Sequence, residues 1–85
     1  MYLHLGQDTV VSDGDVIGIF DLDTSTVSKA TRDYLSVAEK ENRIVTVSYE
    51  LPKSFVVCAE KNGVKVYLSP ISSSTLKKRM KNLSF

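Results

Sequence analysis

The chain has 85 residues, of which 42% are hydrophobic, with a formal net charge of +1, one cysteine and one histidine. So short a chain forms one domain, residues 1–85, because neither half could bury a core of its own. One cysteine excludes an intrachain disulfide, and one cysteine with one histidine falls short of the three or four ligands of a zinc site. Of the usual supports of a small domain, only association with further subunits remains.

No membrane or export signal is visible in the sequence. The longest apolar run is far shorter than a membrane span, and no basic segment precedes a long apolar stretch near the N-terminus. We therefore expect a cytoplasmic protein that does not enter a membrane, a location that also suits a free thiol.

Extended structure interrupted by turns fills the first twenty residues. Tyr2–Leu5 and Thr9–Val11 are short extended stretches separated by a break. A turn at Ser12–Asp15 leads into the apolar strand Val16–Phe20. Gly18 within that strand indicates a bulge or a close backbone approach.

An amphipathic helix of about four turns follows. Its apolar positions recur with helical spacing from Val27 onward. Candidate N-cap residues precede it, namely Asp23, Thr24 and Ser25. The helix should end near Asn42, a residue that tolerates the left-handed backbone of a C-terminal cap.

The second half predicts three strands and a short helix. Arg43–Tyr49 alternates in polarity, which is typical of a strand with one buried face. Phe55–Ala59 is apolar at every position and is therefore a central strand covered on both faces. Asn62-Gly63 predicts a tight hairpin turn, from which the chain returns through Val64–Ser69.

A basic segment closes the chain. Three serines, Ser72 to Ser74, offer N-caps for a helix over Ser73–Lys81. One narrow side of this helix is apolar, with Leu76, Met80 and Leu83. Its remaining surface is basic, with Lys77, Lys78, Arg79 and Lys81.

These elements predict an α+β domain in the order β-β-α-β-β-β-α, with the interrupted first stretch counted as one strand. The expected architecture is one mostly antiparallel sheet with the long helix packed on one face and a short basic helix at the C-terminus. The short helix is too small to cover the second face of Phe55–Ala59. We therefore expect another subunit to complete the burial, giving a homo-oligomer.

Catalysis is not indicated. The glycines are scattered and no phosphate-binding loop is present. His4 lies between leucines, and the pairs Asp13/Asp15 and Asp21/Asp23 occupy turn and cap positions where aspartate is common. We expect a protein that is not an enzyme and that uses no cofactor and no metal.

The charges are divided unevenly along the chain. Residues 1–42 carry eight acids and three bases, a balance of −5, whereas residues 43–85 carry eight bases and two acids, a balance of +6. This asymmetry indicates a polyanion as partner of the basic half, or contact between the acidic half of one subunit and the basic half of another.

Three segments resemble a known family. The stretches MYLHLGQDTVVSDGDVIGIFD, LPKSFVV and VYLSPISSSTLKKR are similar to the bacterial extracellular matrix regulatory proteins, formerly a family of unknown function, and in particular to the B-type branch. The resemblance runs from Met1 to about Arg79. It implies a small cytoplasmic transcription regulator of biofilm genes. In the A-type branch it further implies closed rings around which DNA wraps through arginines.

The sequence departs from the A-type pattern at the positions that matter for DNA. The turn before the apolar strand carries an arginine pair in the A-type branch, where this chain has Glu50 and Leu51, and a further A-type arginine aligns with Asp15. Only the next basic position is kept, as Lys53. The candidate DNA contacts are therefore Lys53, Lys77, Lys78, Arg79 and Lys81.

Two functions remain open from the sequence. The first is an oligomeric regulator that binds double-stranded DNA through phosphate contacts and bends or wraps it. The second is an oligomeric module that binds no DNA and acts through a protein partner, such as an A-type relative.

Overall fold

The computed structural model describes residues 1–22 and 28–83. Its elements in chain order are β1 (Tyr2–Gly6), β2 (Thr9–Ser12), a 3-10 turn (Asp13–Asp15), β3 (Val16–Asp21), α1 (Lys29–Lys40), β4 (Ile44–Thr46), β5 (Ser54–Glu60), β6 (Gly63–Ser69) and α2 (Ser73–Leu83). The predicted α+β class is confirmed. Neither helix in the described ranges is long and apolar enough to span a bilayer.

The strands form two sheets where the sequence predicts one. β1 and β2 pair as a separate hairpin, and the other strands form a sheet in the order β3-β5-β6-β4. β5 runs antiparallel to both of its neighbours, whereas β4 runs parallel to β6. α1 lies in the crossover that carries the chain from β3 to β4, which run in the same direction at opposite edges of the sheet. The pairing as a whole is mostly antiparallel, as predicted.

The long helix covers one face of the four-stranded sheet. Ala38 of α1 is fully buried and belongs to a cluster with Phe55, Val57 and Val66 of the two central strands. Val64, Val66 and Leu68 of β6 all lie on this side. This burial is what fixes α1 on the sheet.

The opposite face is covered by the chain itself. Val56 and Cys58 of β5 are 0% exposed there, packed with Leu3 and Leu5 of β1 and with Leu76 of α2. The sequence predicts that another subunit provides this cover. The β1–β2 hairpin, which is not part of the main sheet, provides it together with α2.

α1 begins at Lys29, with Ser28 as its N-cap. The Ser28 hydroxyl oxygen accepts a hydrogen bond from the Thr31 main-chain N–H at 3.1 Å, which satisfies one of the unpaired amides of the first turn. The N-caps predicted from the sequence, Asp23, Thr24 and Ser25, lie outside the described residues. Val27 lies outside them as well.

α1 ends in the manner that the sequence predicts. Asn42 adopts the left-handed conformation, with φ of 59°. The Arg43 main-chain N–H donates back to the Ala38 carbonyl at 2.8 Å, which is the hydrogen bond of a Schellman cap.

β4 is shorter than predicted. It ends at Thr46 instead of Tyr49, although the Val47 main-chain N–H still donates to the Leu68 carbonyl at 3.1 Å. The pairing stops there because β4 bonds to Val66 and Leu68, so the next donor toward it would be residue 70, and Pro70 has no N–H. Tyr49, predicted on a buried face, is fully exposed in consequence.

Candidate nucleic-acid interface

A buried pair of serines fixes the segment that leads into α2. Ser54 and Ser69 are cross-strand partners on β5 and β6, and both are 0% exposed. The Ser54 hydroxyl donates to the Ile71 carbonyl at 2.7 Å, and the Ser69 hydroxyl donates to the Leu5 carbonyl at 2.6 Å. Buried hydroxyls require such partners. The two bonds tie the start of α2 to both sheets.

α2 is anchored by its cap and its apolar side. The Ser72 hydroxyl oxygen accepts from the Thr75 main-chain N–H at 3.3 Å, which confirms a serine cap at the predicted position. Leu76 is fully buried and Met80 packs partly buried against the same core. The helix extends to Leu83, two residues beyond the predicted end.

The basic side chains of α2 are exposed on the outer side of the helix. Lys77, Lys78 and Arg79 occupy consecutive positions and all three are exposed. The guanidinium of Arg79 donates from Nη1 to the His4 carbonyl of β1 at 3.2 Å, so this residue also holds the helix against the hairpin. The side chain of Lys81 lies outside the described part of the structure.

Lys53 stands on a different element, just before β5. Its side chain is exposed, whereas its main-chain N–H and carbonyl both form hydrogen bonds. The Lys53 N–H donates to the Ser69 carbonyl at 2.8 Å, and its carbonyl accepts from the Leu22 N–H at 2.9 Å. The structure therefore places four of the five predicted bases on one helix, three of them with side chains that are described and exposed, and the fifth, Lys53, just before the central strand.

The loop before Lys53 offers no positive charge. Tyr49 and Leu51 are exposed, Leu51 with 84% of its surface accessible. Glu50, between them, is also exposed, and its main-chain N–H donates to the Ser48 hydroxyl oxygen at 3.1 Å. An acid flanked by two apolar side chains does not attract phosphate.

A cluster that the sequence does not reveal lies along β5 and β6. The Tyr67 hydroxyl donates to the Glu60 carboxylate. Burial, followed by the charges of Glu60 and Asp15, raises the pKa of the Cys58 thiol to about 11, and burial with the same hydrogen bond also raises the pKa of Tyr67. Hairpin register aligns Cys58 and Glu60 on one face, but only the folded chain brings Asp15 to them. Lys65 lies opposite Cys58 on the same face, so this corner combines acidic and basic groups.

The described ranges hold no cluster of three or more histidine, cysteine or acidic side chains with the geometry of a metal site. Cys58 is buried as a free thiol.

Comparison with known proteins decides the family. Residues 2–80 match the family described as Extracellular matrix regulatory protein A-like. The chain belongs to this family. It is also similar to Extracellular matrix regulatory protein B of Bacillus subtilis (strain 168), with 42% identity over 79 residues, covering 93% of this chain and 89% of that protein. The B-type branch indicated by the sequence motifs is therefore confirmed.

Proposed function

We propose that this protein is a homo-oligomeric, non-catalytic regulator of extracellular matrix genes that binds double-stranded DNA in the cytoplasm. The printed name of its Bacillus relative supports the regulatory role. DNA binding is supported by the charge of α2 and by the division of charge along the chain.

The observation that carries the proposal is the composition of α2. Four of its eleven residues are lysine or arginine and none is acidic. Lys77 and Lys78 point into solvent from a helix whose other side is buried. A solvent-exposed basic helix without acids is the electrostatic footprint expected of a surface that meets phosphates.

The contacts are to the DNA backbone. Lysine binds phosphate as a point charge, and each phosphate neutralised releases counterions from the DNA. Such contacts position the protein without reading the sequence. Lys53 and, in the last turn of α2, Lys81 extend the same basic set.

The test is a titration of double-stranded DNA at two salt concentrations. With four phosphate contacts, affinity should fall on the order of a hundredfold between about 50 and 200 mM salt. Absence of binding at about 50 mM salt with micromolar protein would contradict the proposal.

A second function is favoured by the exposed loop. Tyr49 and Leu51 present apolar surface in the loop where the resemblance places the A-type arginine pair, at Glu50 and Leu51, and exposed aromatic side chains are enriched in protein interfaces. In this case the protein acts on a protein partner, such as an A-type relative. Replacing Tyr49 and Leu51 with serine would then abolish regulation and leave any DNA affinity unchanged.

A further inference from the structure

α1 leaves part of its sheet face uncovered on the β3 side. A groove of about 300 Å³ lies there, and Ile17 and Phe20 at its edge remain 62% and 45% exposed. Its lining is Ile17, Phe20, Thr31, Tyr34, Phe55 and Val57. The exposed surface continues along α1 through Tyr34 and Val37, which is 47% exposed.

Two features of β3 build this groove. The register with β5 shifts between Val16 and Gly18, so that the extra residue Ile17 joins Phe20 on the α1 side. Gly18 allows the Phe20 ring to lie over its own strand, because a Cβ at Gly18 would stand 2.6 Å from that ring. In this position the ring stacks on Phe55, with centroids 4.9 Å apart.

The groove contains no acidic or basic side chain, and two ion pairs lie beside it, one on α1 and one just beyond the end of α1. Lys29 binds Asp33 at 3.0 Å, and Arg43, which lies 5.8 Å over the Tyr34 ring, binds Glu41 at 2.7 Å. An uncharged aromatic centre surrounded by a polar rim is typical of a protein interface. Because the rim pairs are neutral, two copies of the same surface can meet without net repulsion.

The open edge of β3 favours the same occupant. Within the described ranges β3 pairs only with β5, so its outer edge is unpaired. Within β3 the stretch Val16–Phe20 has no proline and no charged residue; the bulge leaves Gly18–Phe20 as its regular part, and Asp21 ends the strand. Such an edge can pair antiparallel with the same edge of a second copy. Two subunits related by a two-fold axis meet in this way.

We propose that the α1–β3 surface, defined by Ile17, Phe20, Tyr34 and Val37, is the contact between two copies of this chain. The inference rests on the proposed self-association and specifies its surface. Because α2 lies on the opposite face of the sheet, this contact leaves Lys77 and Lys78 free to meet DNA. The incomplete burial expected for Phe55–Ala59 is not found, since Phe55 to Cys58 are all buried, and the exposed apolar surface lies on β3 and α1 instead.

Native mass, measured by light scattering at tens of micromolar, tests the proposal. The wild type should have at least twice the protomer mass. Ile17→Lys and Val37→Lys, each on an exposed position, should reduce the mass to that of the protomer. Val10→Lys is the matched control, since Val10 is 52% exposed on β2, and its mass should equal that of the wild type.

A protomeric wild type, or an oligomer that survives both Ile17→Lys and Val37→Lys in folded form, would overturn the proposal. Circular dichroism checks folding, and Val37→Lys provides an answer if Ile17→Lys fails to fold, because Val37 lies on a helix surface. DNA titration of the same samples separates the two proposals. If the substitutions dissociate the oligomer but the wild type binds no DNA, the result supports the α1–β3 surface and contradicts the proposed function.

Discussion

Ser54 and Ser69 lie opposite each other on the two central strands, and each buried hydroxyl donates to a carbonyl of a different part of the chain. Through Leu5 and Ile71 this pair joins the four-stranded sheet to the β1–β2 hairpin and to the entrance of α2. The position of the basic helix therefore depends on two side chains that carry no charge and contact no ligand.

Ser69→Ala should destabilise the protein by about 1–3 kcal/mol. The change leaves the buried Leu5 carbonyl without its donor and removes the acceptor of the Ile71 N–H. Urea denaturation at a fixed protein concentration measures the free energy of unfolding. Ser36→Ala, on the exposed side of α1, is the control and should stay within about 0.5 kcal/mol of the wild type. Equal stability of both variants would contradict the structural role of the pair.

Gly18→Ala should displace the Phe20 ring and reduce stability by about 1 kcal/mol, the strength of an aromatic pair beyond its burial. The cause is specific to that ring, so the same change should have little effect in a Phe20→Ala background. A double-mutant cycle measured by denaturation gives the coupling. A loss of the same size in both backgrounds would mean that Gly18 is needed for its backbone and not for the ring.

Stability should fall between about pH 9 and 11. Folding raises the pKa of the Cys58 thiol from its ordinary value near 9 to about 11, so in this window the unfolded chain loses a proton that the folded chain retains. The contribution is fully present below about pH 9 and is lost as the pH rises to about 11. Tyr67 acts in the same direction, since its pKa is also raised.

Cys58→Ala isolates the thiol. The variant is less stable at every pH because of the cavity, but the decline of its unfolding free energy from pH 9 to 11 should be shallower than in the wild type. Parallel declines in the two proteins would contradict a buried thiol with a raised pKa.

The parts of the fold set by local chemistry were predictable. Asn62-Gly63 fixes the β5–β6 hairpin, Asn42 ends α1, and the serines before α2 supply its cap. In each case the signal and the structure that it specifies lie within a few residues of each other.

The parts set by tertiary contacts were not predictable. The separation of β1–β2 from the main sheet depends on where Leu3 and Leu5 pack, and alternation along a strand does not specify its partner. The length of β4 depends on its pairing with β6, where Pro70 offers no N–H after Leu68, and the sequence does not show that these two segments pair. Tyr49 lies beyond this pairing and is exposed.

The predicted site was accessible from the sequence only as a list of charges. Helical spacing places Lys77 and Lys78 on the outer side of α2, opposite Leu76, and this is confirmed. The anchoring of Arg79 on the His4 carbonyl joins residues 75 positions apart and left no local signal.

The salt dependence of DNA affinity, compared between the wild type and Lys77→Glu/Lys78→Glu, tests the central claim most directly. These two lysines are chosen because Arg79 also holds α2 in place, so its replacement would confound binding with folding. In a plot of the logarithm of affinity against the logarithm of salt concentration, each phosphate contact should contribute about −0.9 to the slope. The variant should lose about two contacts and most of its affinity. An unchanged slope and affinity in a folded variant would contradict α2 as the DNA-binding surface.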